Sequence, residues 1–180
     1  MNDKWTKCAL LLSILLLMTD SVFAIDNVLQ QPEEFVQDVF AGDVPKPQVL
    51  WLTADLADDA TGIMGHPLQA LRIRYWERDG RSAWILEEIG KERPITTGIV
   101  VDNGKVDRVK VLIYRETRGQ EVQYTFFTDQ FKGAVLQSDR QLNRSIDTIS
   151  GATLSVRALT KLARLALYLD HYVQSKKTGS

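Results

Sequence analysis

Cysteine is almost missing from this chain: there is one, Cys8, in 180 residues, and it falls in an N-terminal stretch that reads as a removable leader. Without Cys8 the exported chain can form no internal disulfide, hold no thiolate-ligated metal and use no cysteine nucleophile. Any redox chemistry would then need a cofactor. Histidine is nearly as scarce: His66 and His171 are the two present, and neither has an Asp or Ser at a recognisable catalytic offset. No glycine-rich dinucleotide fingerprint follows an expected strand and no set of residues has metal-ligand spacing, so a self-sufficient hydrolase or dehydrogenase is poorly supported. An excess of either charge is also lacking: Lys+Arg number 22 and Asp+Glu 23, for a formal net charge of −1. With no strong overall field of either sign, the composition argues against nucleic acid as a partner. Long apolar runs are missing too. The only one, Cys8 to Met18, is interrupted at Ser13 and falls short of the roughly 20 residues a membrane-spanning helix needs.

That run has the layout of a secretory leader. Lys4 and Lys7 precede it, and Val22-Phe23-Ala24 supplies the small residues a signal peptidase reads. Residues 1–24 are expected to be removed after Ala24, leaving an exported, periplasmic protein that begins at Ile25. The alternative is an uncleaved anchor reaching to Ala24. The chain beyond Ala24 is long enough, and ordinary enough at 44% apolar and 25% charged residues over the full length, for one domain with a real core.

Along the mature chain, Pro32 sits where a first helical turn tolerates it, and Phe35, Val36, Val39 and Phe40 recur at helical spacing; a short helix is expected over Pro32 to Ala41. After the hinge Pro45-Lys46-Pro47 and the apolar Val49-Leu50-Trp51-Leu52, Thr53 opens a second short helix ending near Gly62 to Gly65. These two helices, within residues 25–70, read as a packing lid without chemistry. Asp55, Asp58, Asp59 and His66 read as a solvated helix face and not as metal ligands. From Leu71 the period changes to two. Leu71, Ile73 and Tyr75 alternate with Arg72, Arg74 and Trp76, Asp79-Gly80 supplies a turn, and Ala83 to Ile89 returns. Ile95 to Val101, Asn103-Gly104 and Val106 to Tyr114 form a second hairpin, with Val109, Val111 and Ile113 expected on one face. The aromatic-rich segment Tyr124 to Gly133 reads as core by composition. Leu154 to Val173 is amphipathic: Val156, Leu159, Leu162, Ala163, Leu165, Ala166 and Leu169 make an apolar stripe, and Arg157, Lys161 and Arg164 lie mostly off it. The class expected is α+β: an antiparallel sheet of two hairpins against a long C-terminal helix, with two short N-terminal helices. Its main domain would span 71–175, with 176–180 a frayed tail.

Just before the last helix stands Asp147-Thr148-Ile149-Ser150-Gly151-Ala152-Thr153. Ser150, Gly151 and Ala152 permit close backbone approach, and the helix behind them offers unpaired N–H groups and the positive end of its dipole, a place suited to a phosphate. In the bland alternative Ser150 or Thr153 simply caps the helix, although Val156 stands where a capping box would have Glu or Gln.

The same string resembles the flavinylation motif of the FMN-binding domain family, Asp-x-x-(Ser/Thr)-Gly-Ala-Thr, which includes periplasmic subunits of the sodium-translocating NADH:quinone reductase and Rnf complexes and the extracytoplasmic domain of the nitrous-oxide-reductase regulator. A second likeness is the loop Glu116-Thr117-Arg118-Gly119, which resembles the family's Glu-Thr-x-Gly loop with Arg118 where proline is common. The segment Tyr124 to Gly133 resembles the family's stretch ahead of the flavin motif. The resemblance implies covalent FMN on Thr153 through a phosphoester, with Asp147, Ser150, Gly151, Ala152, Glu116 and Thr117 around the cofactor. It also implies a separate flavin transferase, since no base beside Thr153 is evident to activate it, and a membrane-bound or periplasmic redox partner. An exported electron carrier is the leading reading. A redox-sensing or interaction domain for a membrane partner, and a structural domain without flavin, are its rivals.

Overall fold

A computed structural model describes residues 27–178; the expected leader, its cleavage after Ala24, and the last two residues lie outside them. In chain order the elements are β1 (Asn27–Val28), α1 (Pro32–Val39), β2 (Gln48–Trp51), α2 (Ala54–Met64), β3 (Arg72–Arg78), β4 (Arg81–Ile89), β5 (Pro94–Asp102), β6 (Lys105–Tyr114), α3 (Thr125–Thr128) and α4 (Thr153–Thr178), with short 3-10 turns at Gln120–Gln123 and Asp129–Phe131. The fold is α+β. Its single antiparallel sheet runs β1-β6-β5-β4-β3-β2, so the two expected hairpins form its centre and two further short strands, β1 and β2, form its edges.

Both hairpins turn as their Asp-Gly and Asn-Gly pairs demand. Asp79 and Gly80 have φ of 53° and 80°, and Asn103 and Gly104 have 48° and 75°. Positive φ at both central residues is the geometry whose twist matches that of the flanking strands.

The sheet is covered on both faces. On one, α4 buries Val156, Leu159, Leu162, Ala163, Ala166 and Leu169 against Trp84, Ile95, Ile99, Val109 and Val111, with Leu56, Ile63 and Met64 of α2 beside them. On the other, α1 buries Phe35, Val36 and Val39 against Ala83, Val100 and Leu112. The two N-terminal helices therefore lie on opposite faces instead of forming one lid. The close fit of α1 depends on Gly98, since a Cβ there would come within 2.6 Å of the Phe35 ring.

Ile113 does not share a face with Val109 and Val111. The pairing of β5 with β6 shifts between Thr96 and Thr97, which face Ile113 and Val111, and leaves Leu112 as an extra residue. This bulge turns Ile113 toward α1 together with Leu112, and returns Tyr114 to the α4 side. At the far end, α4 continues through Lys176 to Thr178, where the sequence predicts a frayed tail, and Lys177 pairs with Glu77. No helix among the described residues is long and apolar enough to cross a membrane.

Candidate functional site

The chain enters α4 through a tight turn. Ala152 N–H donates to the carbonyl of Ile149 at 2.9 Å, and Gly151 has φ of 84°, the left-handed value a type II turn requires at its third residue. Val156 N–H then donates to Ala152 O at 2.9 Å, the first bond of the helical ladder. Ala152 is thus the N-cap and Thr153 the first helical residue, so neither Ser150 nor Thr153 holds the capping position. The amides of Thr153, Leu154 and Ser155 precede the ladder and have no partner within the helix. Ser150, Gly151 and Thr153 are exposed, and nothing lies within 4 Å of where a Cβ on Gly151 would stand. A hydroxyl at a helix start, facing solvent beside free amides and open glycine backbone, can hold a phosphoester. Asp147 is fixed from behind, its N–H donating to Gln130 Oε1 at 2.8 Å.

The second loop lies directly against this turn. Gly119 has φ of 79°, and a Cβ there would come within 3.0 Å of Ala152 Cβ and 3.1 Å of the Tyr114 hydroxyl. Tyr114 donates its hydroxyl hydrogen to Arg118 O at 2.6 Å and stands 3.4 Å from Ser155 Oγ in the first turn of the helix. Gly119 and Ala152, distant in sequence, are brought into one surface because the end of β6 meets the start of α4.

Within that loop the side chains divide. Thr117 and Arg118 are exposed. Glu116 is turned inward, and its Oε1 accepts the N–H groups of Lys91, Glu92 and Arg93 at 2.5, 2.7 and 3.0 Å. Burial raises its pKa, but these three bonds and the nearby Lys91 ammonium outweigh it and hold the carboxyl below its ordinary value. The β4–β5 loop is thereby strapped to the Glu116–Gly119 loop. Gly90 is the point of closest approach: a Cβ there would stand 2.8 Å from Glu116 Oε1 and 3.3 Å from Ser155 Oγ. Gly90, Tyr114 and Ser155 are members of the site that sequence reasoning misses. Only the glycine carries a local signal, standing between two expected strands.

The aromatic segment splits likewise. Phe127 and Phe131 are fully buried and pack edge to face, centroids 5.7 Å apart. Tyr124 and Phe126 are 55% and 63% exposed, their rings 6.1 Å apart and near parallel, leaving aromatic surface next to the Gly119 loop in the chain. Elsewhere, Asp59 is engaged by Arg140 and Tyr168, and His66 Nε2 lies 2.8 Å from Glu88, which also pairs with Lys161. Among the described residues no cluster suited to a metal ion exists.

A helix start that offers an exposed hydroxyl and free amides, with a glycine loop packed against it, is suited to hold a phosphate-bearing group. The family model of the FMN-binding domain matches residues 90–168. That span begins at Gly90 and takes in both loops, so it encloses the whole arrangement. No curated protein and no solved structure matches the chain.

Proposed function

We propose that this protein is an exported electron carrier that holds FMN covalently, through a phosphoester to Thr153, and relays electrons between a membrane or periplasmic donor and an acceptor. The observation that carries this reading is the placement of Thr153: exposed, first in α4, with the unpaired amides of the helix start beside it and the Gly119 loop seated on Ala152. When bound, FMN supplies the redox chemistry, taking up one or two electrons and giving them on. The residues of the chain hold and place it. The helix amides and dipole favour the phosphate, Ser150 and Gly151 keep the backbone open around it, and Thr117, Tyr124 and Phe126 offer polar and aromatic surface for the ring. No base is hydrogen-bonded to the Thr153 hydroxyl among the described residues, which supports installation by a separate flavin transferase. A covalent tether also keeps the cofactor's effective concentration high outside the cytoplasm, however weak the other contacts are.

Intact mass tests this. Co-expressed with a transferase, the wild type is expected to gain the mass of FMN less one water, and Thr153→Ala is expected to gain nothing. The variant stays folded, because the N-cap is Ala152 and no cap is lost. Attachment that persisted in Thr153→Ala and disappeared in Ser150→Ala would move the linkage to Ser150. A wild type left unmodified where a known family member is flavinylated would end the carrier reading.

A further inference from the structure

The near balance of charge over the whole chain conceals a local sorting. A cleft of about 670 Å³ runs between the segment 137–148 and the outer face of α4. Arg157, Lys161 and Arg164, spaced four and three residues apart on one helix face, line one wall, and Arg144 lines the other. No Asp or Glu lines it. Two of the guanidinium groups are positioned by neutral carbonyls: Arg144 Nη1 donates to Lys132 O at 2.9 Å and Arg164 Nε to Arg140 O at 2.6 Å. Such bonds fix the groups without neutralising them. Lys161 shares Glu88 with His66, and Arg157 is exposed on the turn after Thr153. With Lys161 paired to Glu88, the guanidinium groups of Arg144, Arg157 and Arg164 carry the positive charge of the cleft, Arg157 and Arg164 standing about 10 Å apart along the helix. Thr148, from the attachment motif itself, lines the near end.

We propose that this cleft receives an acidic face of the protein that exchanges electrons with the flavin. The proposal rests on the FMN reading above, because the cleft gains this meaning from lying one helical turn beyond Thr153. A protein face fits better than a small anion, because the cations are spread over two turns along an open surface instead of converging on a single carboxylate. Electrostatic steering of this kind raises the encounter rate by ~10- to 10³-fold at low salt. Each encounter transfers one electron, the flavin gaining what the partner loses or the reverse.

The test uses two protein probes of opposite charge on the flavin-bearing chain. A reduced acidic ferredoxin delivers electrons to the oxidised flavin, and oxidised basic cytochrome c removes them from the reduced flavin, both followed by stopped flow against ionic strength. The ferredoxin rate is expected to fall about tenfold between low and physiological salt, and about tenfold in Arg157→Glu at low salt, while the cytochrome rate shows neither loss. Arg157 is chosen because its side chain is exposed on the outer face of α4; Arg144→Glu is the second variant. A ferredoxin rate indifferent to salt and to both variants, or a cytochrome rate that is the one enhanced at low salt, would overturn the proposal. Saturable calorimetric binding of citrate in the cleft that blocks ferredoxin would overturn it in favour of a small anionic ligand. Ferredoxin binding to Thr153→Ala, read by amide chemical shifts in residues 137–164 and lost in Arg157→Glu, needs no flavin. If the wild type carries no FMN but this binding persists, the FMN reading fails and the docking face stands; if FMN is present and binding and salt dependence are both missing, the reverse holds.

Discussion

Glu116 sits in a polar loop after a strand, where a side chain ordinarily faces water, yet one of its oxygens accepts three consecutive amides of the β4–β5 loop. Its first task is therefore to fix the loop that supports the site. Glu116→Ala leaves those amides without their acceptor, and a loss of about 1–2 kcal/mol is expected, in the lower part of the range for charged hydrogen bonds because the group is partly solvated. Since its folded pKa lies below the ordinary value, its contribution is full above about pH 4.5 and disappears as pH falls through the depressed pKa. Denaturant midpoints of wild type and Glu116→Ala should thus converge on acidification. Curves that stay parallel down to low pH would show that the charge is not what straps the loop. Gly119 is the complementary position. Gly119→Ala puts a methyl group into Ala152 and Tyr114 at a backbone angle that L-residues rarely adopt, so the loop must lift from the attachment turn. A stability loss of about 1–3 kcal/mol is expected, together with slower modification of Thr153 in a timed mass assay; full stability and unchanged yield would mean that the contact of the two loops is incidental.

At the scale of elements, α1 packs on the sheet through Phe35, Val36 and Val39, and its closest fit is the Phe35 ring over Gly98. Gly98→Ala is expected to cost about 1–3 kcal/mol by overpacking, and amide exchange should accelerate in residues 32–39 more than in α4; uniform exchange would show that α1 adjusts freely. How far such elements are legible in the sequence depends on how local their causes are. Asp79-Gly80 and Asn103-Gly104 announce their own hairpins, and the apolar stripe announces α4. β1 and β2 have two and four residues, too few to show a period, and exist because the neighbouring strands offer open edges. The bulge at Leu112 is set by the register of another strand, so the alternation through Val109, Val111 and Ile113 misplaces its last member. The site follows the same division. Its Ser-Gly-Ala-Thr string and Glu-Thr-x-Gly loop stand in the sequence as strings, whereas the seating of Gly119 on Ala152, the inward turn of Glu116 and the gathering of Arg144 with the α4 cations arise only from the tertiary fold.

Across the whole molecule, one buried polar chain ties the sheet to the far half of α4. Asp170 is 1% exposed; Ser82 donates its hydroxyl hydrogen to Asp170 Oδ1 at 2.7 Å, and Trp84 Nε1 donates to Ser82 Oγ at 2.8 Å. Trp84 in turn stacks on Tyr75, centroids 4.8 Å apart, so the chain runs from β3 through β4 to the helix. Burial pushes the Asp170 carboxyl up, and hydrogen bonds from Ser82 and Gln174 only partly oppose this. The sign is opposite to that of Glu116. With a folded pKa above the unfolded one, the native state holds a proton that the unfolded state has lost, so stability falls as pH rises from 3.8 through the raised value. Asp170→Asn keeps an acceptor oxygen for Ser82 and removes the titration. The variant is therefore expected to gain on the wild type as pH rises, with little difference at the acid end of the window. Ser82→Ala should behave differently, losing stability throughout because it leaves the Trp84 N–H and the carboxyl without their shared partner. Urea midpoints for the three proteins between about pH 4 and 8 decide it: if the Asp170→Asn and wild-type curves run parallel, the carboxyl is not neutral in the fold, and the link between sheet and helix is an ionised one.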